Sequence, residues 1–236
     1  MNALVIILLM SSAAVHISLS PPNPPVKEHN NSVPNTLFEK FIQSITFFSK
    51  VMMWMGTMWD LYVSVAKYGL HTRSHDVPAA IVRLGACHEY YQTSCMVHPI
   101  LVVGMLTTVT AAALRVWCFK TLGRLFTFEI DIRPEHELIT CGPYAWVRHP
   151  SYTGVYLTLL GATAVLCSPG TWLVECGPGN IGAALISLLW TLKCIYVFKG
   201  MTVRLRVEDE VLREAFGERW DEYSKRVPQS LLPGII

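Results

Sequence analysis

The sequence predicts an all-α fold, a polytopic membrane bundle of about five spans followed by cytosolic amphipathic helices. Two observations carry that expectation. Of the 236 residues, 52% are hydrophobic and only 15% charged, where soluble domains carry about 25% charged residues. Apolar windows that meet or approach the about 20 residues of a bilayer-crossing helix then recur along the chain. The net charge of +2 and the lack of a basic stripe with interleaved aromatics argue against nucleic acid as a partner. The seven cysteines form no C-x-x-C pair and several fall in apolar runs, so they read as buried small side chains, not as disulfides or a zinc site.

The first window, Met1 to Leu19, has an apolar core from Leu4 to Met10 followed by small residues from Ser11 to Ala14. It lacks the basic n-region of a signal peptide and is read as a retained span. Pro21-Pro22-Asn23-Pro24-Pro25 then forces a turn or a polyproline stretch, and Asn30-Asn31-Ser32 fits a glycosylation triplet that matters only if the loop is lumenal. The second window, Phe47 to Ala66, carries Trp54, Trp59 and Tyr62, residues suited to membrane interfaces. Val97 to Phe119, Tyr152 to Cys167 and Ile181 to Phe198 complete the spans.

Basic residues set orientation. Arg115, Lys120, Arg124, Arg133 and Arg148 follow the third span, and Lys199, Arg204, Arg206, Arg213, Arg219, Lys225 and Arg226 follow the fifth, so both segments are expected in the cytosol. The connection from Ser168 to Asn180 has no Lys or Arg and reads as the lumenal tip of a helical hairpin. Lys67, Arg73 and Arg83 run against this count. Residues 1–125 are therefore taken as N-terminal membrane helices, and 126–236 as the part that carries the polar chemistry.

In that second part, Gly142-Pro143-Tyr144 signals a turn. His149 precedes a proline and is biased to extended backbone, while Pro150 suits a first helical position. The fourth span thus starts at Arg148-His149-Pro150-Ser151-Tyr152, where a helix N-terminus and two basic side chains make an anion site. Glu208-Asp209-Glu210 lies about ten residues past the last span, on a helix whose apolar face is Val207, Val211, Leu212, Ala215 and Phe216 and which Gly217 ends. A shorter amphipathic helix, Glu218 to Arg226, carries Trp220 and Tyr223 and stops before Pro228. An anion-binding helix start and an acidic pair together suit a zwitterion such as an amino-acid-derived cofactor. Physics alone does not name it.

The stretch from Gly142 to Gly154, GPYAWVRHPSYTG, resembles the signature of the isoprenylcysteine carboxyl methyltransferases and their phospholipid methyltransferase relatives. Glu208-Asp209, Leu212, Phe216-Gly217, Tyr223 and Lys225-Arg226-Val227-Pro228 resemble that family's C-terminal acidic pair and the segment beyond it. The upstream stretch with His136 and Leu138-Ile139-Thr140 is similar too, so the likeness covers roughly the C-terminal half. One departure is that the family usually has two glutamates where this chain has Glu208-Asp209.

The resemblance implies an S-adenosylmethionine-dependent enzyme of the endoplasmic reticulum membrane, its site facing the cytosol, that methylates the C-terminal carboxylate of prenylated cysteine. Its partners would be prenylated protein C-termini or prenylcysteine small molecules, with membrane lipid around it. No G-x-G-x-x-G follows a strand pattern, in keeping with a cofactor pocket built from helix ends. The cofactor residues it implies are Thr140, Gly142, Pro143, Tyr144, Val147, His149, Pro150, Tyr152, Glu208 and Asp209, with Glu208 on the cofactor ammonium. Because a carboxylate is ionised at neutral pH, its unperturbed pKa being about 3.5, no general base is needed, and the acceptor wants an arginine to orient it. Arg148 or Arg226 is expected in that role.

Other readings compete. Arg148 and His149 also suit interfacial anchors, and the acidic run could pair with Arg204, Arg206 and Arg213 as a solvated face. His71 and His75 are four apart but have no third ligand nearby. A phospholipid or small-amine methyltransferase, a sterol-type membrane reductase and a non-catalytic scaffold of the same fold remain as alternatives.

Overall fold

A computed structural model describes residues 3–23, 37–70, 97–127, 136–175 and 180–234. Every regular element among them is helical: α1 (Ala3–Ser18), α2 (Leu37–Leu70), α3 (Pro99–Leu122), α4 (Pro150–Leu166), the single turn α5 (Trp172–Glu175), α6 (Ile181–Phe216) and α7 (Glu218–Arg226). Two 3-10 turns, Gly123–Leu125 and Gly142–Ala145, complete the set. All five apolar windows fall on helices. By length and composition, α3 with the turn after it and α6 are long and apolar enough to cross a membrane. His71, His75, the Asn30 triplet, Cys87, Cys95 and Cys176 lie outside the described residues.

The bundle is centred on α3 and α4. Gly161 makes their contact possible, because a Cβ there would lie 2.8 Å from Thr108 and 2.9 Å from the Gly104 carbonyl. Small residues allow the backbones this approach, as is common between helices in lipid. Helix α1 packs on the same pair through Leu4, Val5, Leu8 and Val15, all nearly inaccessible. Hydroxyls bind across this apolar core: Ser18 to Thr158 at 2.6 Å and Ser12 to Thr57 at 2.7 Å.

Helix α2 runs antiparallel to α6. Glu39 pairs with Arg204 at 3.1 Å, the Phe38 and Tyr196 rings meet at 5.7 Å, and further along Lys193 donates to Ser49 at 3.0 Å.

The sequence suggests a last span followed by amphipathic pieces, but α6 is one unbroken helix of 36 residues. Asn180 caps its start by accepting from the Ala183 N–H, no proline interrupts it, and Gly217 at φ 53° ends it. At about 1.5 Å per residue it is about 54 Å long, well beyond the about 30 Å hydrocarbon core of a bilayer. Its last turns, which hold Glu208 and Asp209, are thereby carried rigidly by the apolar part.

Candidate active site

Residues 141–152 form a sharp corner. Gly142 turns at φ 60°, the 3-10 turn leads through Tyr144, and Pro150 opens α4 at its first turn with His149 before it at φ −125°. The corner is bound to the C-terminal segment. The Arg148 and His149 N–H groups donate to the carbonyls of Gln229 and Ser230 at 2.9 and 2.8 Å, and Thr153 donates to Leu231 at 2.6 Å. Residues 229–230 thus occupy the two backbone N–H groups that precede the helix start.

Helix α6 brings its two carboxylates against the corner. His149 Nε2 lies 2.6 Å from Asp209 Oδ1, and its Nδ1 is 3.8 Å from Glu208. The Tyr152 hydroxyl donates to Glu208, and the Tyr152 ring stacks on the imidazole at 5.4 Å. Asp209 also accepts from Arg148 at 3.3 Å. Asp209 is therefore the tie between α6 and the corner, while Glu208 faces a cavity.

That cavity, of about 170 Å³, has two parts. A polar part is walled by Tyr144, Arg148, His149, Tyr152 and Glu208 together with Leu138, Trp220 and Tyr223. From it an apolar arm extends between α2, α4 and α6, along Ile42, Ile45, Val155, Leu159, Val197 and Met201. Among the described residues no group of three or more His, Cys, Asp or Glu side chains is placed to hold a metal.

Of the residues expected from the sequence, Tyr144, Arg148, His149, Tyr152 and Glu208 line the cavity. Thr140, Gly142, Pro143, Val147, Pro150, Asp209 and Arg226 do not; Gly142, Pro143, Val147 and Pro150 build the corner and Asp209 braces it. Arg148 spends its guanidinium on the Val227, Pro228, Asp209 and Ser230 oxygens, which makes it a clamp, although its buried Nε has no hydrogen-bond partner among the described residues. Arg226 is exposed at the end of α7.

Another arginine takes the inward place. Arg115 on α3 is only 3% exposed and lines the cavity where the polar part meets the arm. It donates to the Ser18 carbonyl at 3.0 Å and to the Ser151 hydroxyl, and lies over the Phe119 ring at 4.6 Å. It pairs with no carboxylate among the described residues. Its seat depends on Gly154, where a Cβ would come within 2.7 Å of Arg115 Cγ. A signal for it existed: a charge inside an apolar window is a functional candidate by default, and Arg115 falls within Val97 to Phe119.

Burial pushes the Tyr223 phenol up to about 12. Burial, then the Cys118 thiol and the Glu208 carboxylate, raise that of Tyr144 well above its ordinary value. Both remain neutral donors, and Tyr223 donates to the Tyr144 carbonyl at 2.8 Å, locking α7 under the corner.

This arrangement has relatives. Residues 102–176 match the model of the isoprenylcysteine carboxyl methyltransferase (ICMT) family. Over that region the chain is similar to the ICMT family. It is 31% identical over 130 residues to protein-S-isoprenylcysteine O-methyltransferase B of Arabidopsis thaliana, an alignment covering 54% of this chain and 57% of that protein. With protein-S-isoprenylcysteine O-methyltransferase of Homo sapiens it shares 33% over 132 residues, 55% of this chain and 40% of the relative. The corresponding protein of Saccharomyces cerevisiae is 28% identical over 128 residues, 53% of this chain and 46% of that one. The chain thus spans about half the length of the curated relatives it matches.

Proposed function

We propose that this chain is an S-adenosylmethionine-dependent methyltransferase that esterifies the C-terminal carboxylate of a prenylated cysteine. We further propose that it does so as a five-span protein of the endoplasmic reticulum membrane with its site at the cytosolic face. One observation carries the reading: a buried arginine without an acidic partner among the described residues stands at the junction of a polar chamber and an apolar arm. An acceptor with a carboxylate at one end and a hydrocarbon tail matches that junction in both halves.

The donor set suits S-adenosylmethionine. Glu208 offers a carboxylate to an ammonium, the unpartnered Nε of Arg148 offers a donor to a carboxylate, and Trp220 and Tyr223 offer aromatic surface in the same chamber. When bound, that group supplies a methyl on a sulfonium, a strong leaving group. Arg115 orients the acceptor carboxylate, and because Ser151 and the Ser18 carbonyl share its donors, the carboxylate is held without being fully neutralised as a nucleophile. Tyr152 fixes Glu208, His149 and Asp209 fix the helix that carries it, and the surrounding apolar side chains exclude water, which favours a displacement that needs position more than acid or base. The tail, worth about 0.8 kcal/mol per buried CH₂, reaches the arm from the bilayer.

Protein in lipid with a labelled methyl donor and S-farnesyl-N-acetylcysteine should yield a base-labile methyl ester, and Arg115→Met should abolish it. Transfer to phosphatidylethanolamine in place of the prenylcysteine would instead favour a phospholipid methyltransferase. Donor binding without transfer to either acceptor would favour a scaffold.

A further inference from the structure

Glu208 has a cation of its own within reach. Arg204 lies four residues earlier on α6, the spacing at which two side chains on a helix meet, and both residues line the cavity. The guanidinium carbon is 5.7 Å from the centre of the Tyr152 ring, and the hydroxyl of that ring donates to Glu208. Among the described residues, however, the carboxylate that Arg204 pairs with belongs to another helix. It is Glu39 of α2, at 3.1 Å, with the two side chains only 7% and 10% exposed.

Helix α2 is seated to make this exchange. Phe38 fills the notch that Gly200 leaves one turn before Arg204, where a Cβ would run into the Phe38 ring. The same ring meets Tyr196 at 5.7 Å, and Ile42, one turn further along α2, joins the buried cluster that holds Met201. Glu39 does not itself line the cavity, so its effect on a ligand passes through Arg204.

We infer that Glu39 is a positioning residue for the methyl donor: by drawing Arg204 across the seam between α2 and α6, it keeps the guanidinium off Glu208 and leaves that carboxylate to the donor's ammonium. The inference rests on the donor proposed above. A buried guanidinium left unpaired is costly, and opposite charges in water-poor surroundings attract strongly. Without Glu39, the carboxylate one turn away on its own helix is the partner that Arg204 takes. The donor's ammonium would then have to displace an internal cation before it could bind.

The test reads the two ends of the donor separately. S-adenosylhomocysteine and methylthioadenosine share the adenosine and the thioether and differ in the amino-acid end, so the ratio of their affinities reports the contact to that end. Both are titrated calorimetrically into the full chain in lipid nanodiscs, where wild type should bind S-adenosylhomocysteine the tighter. Glu39→Gln should weaken S-adenosylhomocysteine by about tenfold, the worth of one hydrogen bond to a charged group. Methylthioadenosine should stay within about twofold, whereas general damage to the bundle would weaken both. Glu39→Gln combined with Arg204→Gln should recover the lost affinity, because the competing cation is gone. Gly200→Ala, which keeps both charges but unseats Phe38, should resemble Glu39→Gln. Retained methylthioadenosine binding reports a folded chamber, and where Glu39→Gln fails that control, Gly200→Ala and the double variant decide.

An unchanged S-adenosylhomocysteine affinity in Glu39→Gln overturns the inference, as does a double variant that recovers nothing or a parallel loss of both ligands in all three variants. Wild type that binds the two ligands alike, or neither, overturns the donor contact at Glu208 and the inference with it. A Glu39 effect of the expected size without methyl transfer to a prenylcysteine keeps the inference and overturns the acceptor reaction.

Discussion

Gly154 and Arg115 act as one unit. The missing Cβ on α4 is what lets the guanidinium lie against Ser151 and the Ser18 carbonyl, so Gly154→Ala should displace the side chain without touching the chamber. A hydrogen bond to a charged group is worth about 1.5–3 kcal/mol. Steady-state kinetics should show kcat/KM for the prenylcysteine acceptor reduced by about tenfold or more, while calorimetric affinity for the methyl donor stays within about twofold. Asp209 behaves differently. It serves Arg148 and His149 at once, so Asp209→Asn should lower the thermal unfolding temperature and weaken donor binding together, whereas Asp209→Glu should restore both. The motif residues were legible because they sit in an unbroken stretch from Gly142 to Gly154. Arg115 was not recognised, because by charge counting it looks like one more cytosolic basic residue beside Lys120 and Arg124, and only the α3–α4 contact turns it inward.

At the scale of elements, α6 joins an apolar stretch long enough to cross a membrane to the acidic pair as one lever. Lys199 is exposed and remote from the chamber, so Lys199→Ala should be neutral. Lys199→Pro breaks the helix ladder at a cost of about 3 kcal/mol or more and should abolish donor binding while the protein still inserts. Helix α7 depends on Tyr223. Its phenol is held neutral up to about 12 against an ordinary value of about 10, so the associated stability is full below about pH 10 and lost as pH rises through about 12. Thermal unfolding in detergent from about pH 8 upward should show this decline, and Tyr223→Phe should remove it. The sequence could announce α7 through Gly217, its apolar pair and Pro228. It could not announce that α6 has no break, since Lys199 and Gly200 follow an apolar run much as a span boundary would.

For the whole molecule, the windows and their order were readable from hydropathy, while the two-part cavity was not, because it arises from contacts between segments far apart in the chain. Orientation rests on charge. A glycosylation acceptor introduced between Ser168 and Glu175 should be modified in microsomes, and one introduced at Ser224 should not; the reverse pattern would invert the topology. The pairing of α2 with α6 also bears on how the protein is made. Lys193 meets a hydroxyl 144 residues earlier in the chain, and at about 5–20 residues per second the ribosome needs roughly 7–30 s to supply it. Throughout that interval α2 waits without the helix that will enclose the arm. Substitutions along this seam should therefore lower the yield of assembled protein, and slowing synthesis between the two helices should deepen the loss, even where the molecules that do assemble turn over normally.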